Sequence, residues 1–235
     1  MNAKTRLFEE VLGQLKQRAY FRSSAVAPLA RQLGLQISPG TLRVYLSEAV
    51  RQGLIHNAGR GWHSSLAAEF KLDTKPVAPL ARLLRRKFPL LDFHCWATAQ
   101  INPYMHHLLG KSVAFVNTDD DAMETVWEFL RDAGYDAHLN PRGAAGKQFT
   151  VREKTVIVRK RVLTAPVEKH FATIETLLVD LLLESQRLGL MDSGECREMA
   201  RAAASAGRIV MSNLAAYAAD RKQTVGGVFG NEWIN

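Results

Sequence analysis

The sequence predicts a two-domain chain of mixed α+β and α/β class: a small helical unit closed by a hairpin, then a larger α/β domain ending in helices. Three observations predict it. Apolar residues recur at helical spacing three times before Gly53, and two short apolar runs then flank a glycine-rich turn. Beyond Pro76, runs of strand type alternate with amphipathic stretches, the pattern of a sheet covered by helices. From about residue 170 to 221 the pattern is helical only, and an aperiodic tail follows.

The first helix runs from Thr5 to about Gln17, where Leu7, Val11, Leu12 and Leu15 share a face. Ser24 is placed to cap a second helix that runs to Leu33 and ends at Gly34. Ser38-Pro39 supplies an N-cap and a first-turn proline for a third helix, which reaches Gln52 and stops at Gly53. Leu54-Ile55-His56 and Trp62-His63-Ser64 read as strands around the turn Asn57-Ala-Gly-Arg-Gly61.

Residues 66–76, ending Asp73-Thr-Lys-Pro76, read as a linker, which gives domains at 1–70 and 76–235. In the second domain helices are expected at Val77–Lys87, Thr98–Leu109 (bent at Pro103) and Asp121–Ala133. Strands are expected at Leu91–Trp96, Val113–Asn117, Asp136–Leu139, Phe149–Val151 and Thr155–Arg159. Ala172–Leu188, Ser193–Ala206 and Ser212–Asp220 then read as three helices, followed by an extended tail with two aromatic residues.

Composition is that of a globular protein, and no run approaches the roughly 20 apolar residues that span a bilayer. Met1–Glu10 has no apolar signal core, and the two cysteines show no pairing pattern, so the expectation is a reduced, cytoplasmic protein. The formal net charge is +8 and unevenly spread. Residues 1–70 hold nine basic against four acidic side chains, whereas the rest hold 22 against 19. An anionic partner is therefore expected at the N-terminal unit.

Three helices with a short turn before the third and a hairpin after it are the parts of a winged helix-turn-helix. On the third helix Leu42, Leu46 and Ala49 form the inward face. Arg43, Ser47 and Arg51 lie four apart on another face, with Gly40 and Thr41 at the helix start. In that arrangement this helix enters the DNA major groove, where arginine pairs with guanine, and Arg60 at the wing tip touches a minor groove or phosphate.

Candidates for chemistry fail one by one. Gly143-Ala-Ala-Gly-Lys147 is too short for a phosphate loop and has Gln148 where the magnesium-binding hydroxyl belongs, so an ordinary turn is expected. His94, Cys95, His106 and His107 lack paired zinc-ligand spacing, and Cys95 falls inside an apolar strand. The acid-x-Lys pairs a nuclease needs sit in the linker or at the last helix end, and Glu153-Lys154 are adjacent. Asp119-Asp-Asp121 opens a helix and is expected to cap it. The expectation is therefore no catalytic site, no metal and no cofactor.

The winged-helix start resembles the AbiEi-type antitoxins of bacterial type IV toxin–antitoxin and phage-abortive systems. So do Leu91-Asp-Phe-His-Cys-Trp-Ala-Thr-Ala-Gln-Ile-Asn-Pro-Tyr-Met-His-His-Leu108, Ala122-Met-Glu-Thr-Val-Trp-Glu-Phe-Leu130, Asn140-Pro-Arg142 and Ile174-Glu-Thr-Leu-Leu-Val-Asp-Leu181. The resemblance implies a non-enzymatic, two-part protein. Its N-terminal winged helix would bind inverted repeats of double-stranded DNA in its own promoter, as two copies on the repeat. Its C-terminal domain would counteract a cognate AbiEii-like nucleotidyltransferase toxin. By matching position Arg43, Ser47, Arg51 and Arg60 carry the DNA contacts. The alternatives are a ligand-sensing winged-helix transcription factor and, behind it, a divergent DNA nuclease.

Overall fold

The computed structural model describes residues 2–105 and 111–233, in a mixed arrangement of helices around two sheets. His106 and His107, and the end of the helix expected to reach Leu109, lie outside the described residues.

In the N-terminal unit α1 (Ala3–Arg6), a π turn (Leu7–Val11) and α2 (Leu12–Leu15) are contiguous. Their spacing buries Leu7, Val11, Leu12 and Leu15 against α3 (Ser23–Gln32) and α4 (Pro39–Arg51). Three strands, β1 (Tyr20–Arg22), β2 (His56–Asn57) and β3 (Trp62–Ser64), pair antiparallel in the order β1-β3-β2, with Tyr20 and His56 both opposite Ser64. β1 was not expected, because three residues are too few to show a period-2 pattern.

The larger unit begins with α5 (Ala78–Lys87), β4 (Phe93–Ala97) and β5 (Val113–Thr118). It continues through α6 (Met123–Asp132), β6 (Asp136–Leu139), α7 (Gly143–Lys147), β7 (Thr155–Lys160), β8 (Val167–Glu168) and β9 (Phe171–Ala172). It closes with α8 (Ile174–Leu188), α9 (Ser193–Ala206), α10 (Met211–Asp220) and α11 (Val225–Phe229). The strand order is β6-β7-β5-β4-β9-β8; β6, β7 and β5 are parallel, and β4 runs antiparallel to β5. Strand alternation divides the core. Cys95, Val116, Val156 and Val158 face α5 and α6, while Trp96, Phe115 and Ile157 face α8 and the helices behind it.

Several local expectations change. Phe149 and Val151 pack on the core from a loop rather than a strand. Thr98–Tyr104 forms a 3₁₀ helix, in which Gln100 Oε1 accepts from the Ala97 N–H at 2.8 Å. Gly143–Lys147 is a short helix, and a Cβ on Gly146 would sit 2.8 Å from the Arg187 carbonyl of α8. Asp119 gives no side-chain cap. It takes the Arg161 Nε–H at 2.5 Å, and Asp120 pairs with Lys160 at 3.0 Å.

The segment expected to be a linker is fastened down. Phe70 N–H donates to the Arg208 carbonyl at 2.9 Å, the Arg208 guanidinium donates to the Leu66 and Ala67 carbonyls, and Leu66, Phe70 and Leu72 pack on the core. The N-terminal unit joins the same core through Tyr20, Ala58 and Trp62. The Tyr20 hydroxyl accepts from the Ile209 N–H at 2.9 Å and faces the Ala204 and Gly207 carbonyls at 3.0 Å. Burial there pushes the phenol up to about 12. Trp233 of the tail lies 5.6 Å from the Tyr20 ring and stacks on Phe229.

Candidate nucleic-acid interface

Helix α4 starts where the Ser38 hydroxyl accepts from the Thr41 N–H at 3.2 Å, with Pro39 in the first turn. Leu42, Leu46 and Ala49 turn inward at helical spacing. The opposite face is therefore left to solvent: Gly40, Thr41, Arg43, Ser47 and Arg51 are exposed, and so is Val44, at 62%. The Ser47 hydroxyl donates to the Arg43 carbonyl at 2.9 Å, which leaves its oxygen free to accept.

The charges on this face are not neutralised from within. Among the described residues neither Arg43 nor Arg60 has a carboxylate within ion-pair distance. The nearest acid to Arg51 is Glu48, at 4.0 Å, and that carboxylate is already held by Lys4 and by Gln52 at 3.0 Å. Such cations keep their full field for an outside anion.

An open groove of about 820 Å³ runs between α3, α4 and the β2–β3 turn, and Arg43, Ser47 and Arg60 all line it. Gly40, Thr41 and Arg51 lie outside that lining, at the two ends of α4. Two lining residues escaped sequence reasoning. Arg31 sits in the last turn of α3, and His63 has its Nε2 3.1 Å from the Ser23 hydroxyl and a buried Nδ1 with no partner. Burial pushes the His63 imidazole down from its usual range.

The turn is held from two sides. Asn57 Oδ1 accepts from the Gly59 N–H at 2.8 Å, and Gly59 has φ +95° and Gly61 +77°, conformations that favour glycine. A Cβ on Gly59 would also lie 2.7 Å from the Ser212 Cβ, at the start of α10. Arg60 is thus exposed on a turn whose other side is clamped to the larger unit.

A second polar cluster lies on the α8 side of the large sheet. His94, Asn117 and Arg159 form one cross-strand row, and Asn117 Nδ2 donates to His94 Nε2 at 2.8 Å. Burial, aided by Arg161, pushes His94 down to about 4 and keeps it neutral. Arg159 donates to Glu184 of α8, to Asn140 Oδ1 at 2.8 Å and to the Pro141 carbonyl at 2.9 Å. Asp180, one turn before Glu184, accepts from the Tyr217 hydroxyl at 2.9 Å and pairs with Arg221 at 3.2 Å. The available signal was two acids four apart in the otherwise leucine-rich α8. Elsewhere Cys95 is fully buried, which pushes its thiol up, and among the described residues no three His, Cys, Asp or Glu side chains gather as a metal-ligand set.

The model of a family of unknown function, DUF6577, matches residues 41–226, most of the chain. The chain belongs to the DUF6577 family. No curated protein matches it. The DUF6577 match takes in Thr41, Arg43, Ser47, Arg51 and Arg60, together with both sheets' later strands and the Asp180–Glu184 cluster, and it begins just after Gly40. No helix among the described residues is long and apolar enough to cross a membrane.

Proposed function

We propose that residues 1–70 act as a winged helix-turn-helix that binds double-stranded DNA, and that the protein represses its own operon through inverted repeats in the promoter. The observation that carries this reading is one open groove bordered by Arg43, Ser47 and Arg60, whose guanidinium groups have no acidic partner among the described residues. A B-DNA major groove about 12 Å wide admits a helix. Arg43 and Arg51 then pair with guanine O6 and N7, and Ser47 meets a base edge. Gly40 and Thr41 approach phosphate at the positive end of the helix, and Arg60 contacts the backbone beside it. Two copies bind the two half-sites of a repeat. Fluorescence anisotropy of the full chain on the DNA upstream of its own gene tests this. Saturable binding that outcompetes scrambled DNA supports the reading, and equal affinity for both sinks it.

For residues 76–235 we propose the antitoxin role, counteracting a nucleotidyltransferase-like toxin in a type IV system without catalysis or cofactor. Its support is the resemblance carried by Leu91–Leu108, Ala122–Leu130, Asn140–Arg142 and Ile174–Leu181. Co-expression with a nucleotidyltransferase gene next to its own is expected to restore growth, and growth arrest unchanged by the full chain contradicts the role.

A ligand-sensing transcription factor is the second reading. It is favoured by α10, which places Ser212 against the hairpin turn at one end and Tyr217, with Arg221 just beyond the helix, against Asp180 at the other. Gene neighbourhood separates the two: a nucleotidyltransferase reading frame beside this gene favours the antitoxin.

A further inference from the structure

We propose that the cavity between the large sheet and α8 binds a small oxyanion: inorganic phosphate or the phosphate group of a small phosphomonoester. The site is independent of the DNA-binding reading and can fail or stand without it.

The cavity lies where Trp96, Asn117 and Arg159 of the sheet meet Asp180, Glu184 and Arg187 of α8, near the carboxyl ends of β5 and β7. Open α/β sheets hold ligands at such strand ends. Its volume of about 60 Å³ gives room for roughly four to five waters, or one tetrahedral oxyanion, and none for a nucleotide base.

Two features of this cavity point to an anionic acceptor. The first is an unused donor. Trp96 is 1% exposed and lines the cavity, and its indole N–H has no hydrogen-bond partner. That group can only donate, so a group that reaches it must accept. The second is charge. Both carboxylates are already committed, Glu184 to Arg159 and Arg187 and Asp180 to Arg221 and Tyr217. Five cationic side chains nevertheless border the cavity, and Arg142 has no acidic partner among the described residues. Surplus positive charge around a partly enclosed space favours an anion, and several N–H donors match the oxygens of a phosphate.

The test is a titration of the full chain carrying ¹⁵N-labelled tryptophan, at pH 7 and constant ionic strength. Inorganic phosphate, ribose 5-phosphate and sodium chloride are compared. The Trp96 indole resonance is assigned by its loss in Trp96→Phe. It is expected to move saturably with phosphate and not with chloride. Arg142→Ala and Arg187→Ala are each expected to weaken binding about tenfold or more, through loss of a charge-assisted hydrogen bond. Tighter binding of ribose 5-phosphate assigns a phosphomonoester, and equal or weaker binding assigns free phosphate. A Trp96 resonance that stays fixed, or that moves equally in chloride, overturns the proposal. So does a phosphate response confined to Trp62, which lines the groove beside α4 instead, or an affinity unchanged by both substitutions.

Discussion

Gly59 shows how one residue serves two demands. Its φ of +95° suits only a residue without a side chain, and its missing Cβ lets Ser212 approach from α10. Gly59→Ala is expected to destabilise the protein by ~1–3 kcal/mol, since both the backbone strain and the clash must be absorbed. A denaturation midpoint equal to that of the parent contradicts this. The turn itself was legible in Asn57-Ala-Gly-Arg-Gly61, but its contact with Ser212 was not, because nothing local in a turn records what packs behind it. The exposed set on α4 was legible for the opposite reason. Once Leu42, Leu46 and Ala49 face inward, helical geometry leaves Arg43, Ser47 and Arg51 nowhere else to point.

Among the elements, legibility follows length and capping. Ser38-Pro39 located the start of α4 because its cap chemistry is local, and the helical spans of α3, α5, α9 and α10 were readable within a residue or two. β1, β8 and β9 were missed, being two or three residues long and set by their partners rather than by their own pattern. α8 is the instructive case. The sequence predicts a helix there, and it is buried almost all round between the sheet and α9–α11, so its acids find partners inside. The Arg159–Glu184 pair, with side chains 6% and 3% exposed, is the result. Glu184→Gln leaves two guanidinium groups short of a charge and is expected to cost about 3–5 kcal/mol, whereas Arg159→Met combined with Glu184→Leu is expected to recover most of that loss. Urea midpoints of the single and double variants decide it, and a double variant as unstable as the sum of its parts contradicts it.

At the scale of the whole molecule the N-terminal unit keeps its own cluster around Leu7, Leu12 and Leu46 and meets the larger unit's core through Tyr20, Ala58 and Trp62. Composition marked 66–76 as a linker, since Asp73-Thr-Lys-Pro76 is polar and turn-forming, yet Leu66, Phe70 and Leu72 are partly buried and Arg208 ties down the backbone before them. With Tyr20 bonded to the α9–α10 connection and Trp233 beside its ring, unfolding of the N-terminal unit removes contacts that cover the C-terminal helices. Heating is therefore expected to give one cooperative transition by calorimetry, and two separated transitions contradict that coupling. Through Gly59 and Ser212 the same contact region also reaches the turn that carries Arg60. The most direct test of the central claim is the affinity of the full chain for its own promoter across about 50–200 mM salt. Log affinity is expected to fall linearly with log salt, by about 0.9 per phosphate contacted. Arg60→Ala is expected to lower that slope by about 1, and Arg43→Ala to cost about 1–3 kcal/mol at the promoter with little change on scrambled DNA. A promoter affinity indifferent to salt and to both substitutions would contradict the account.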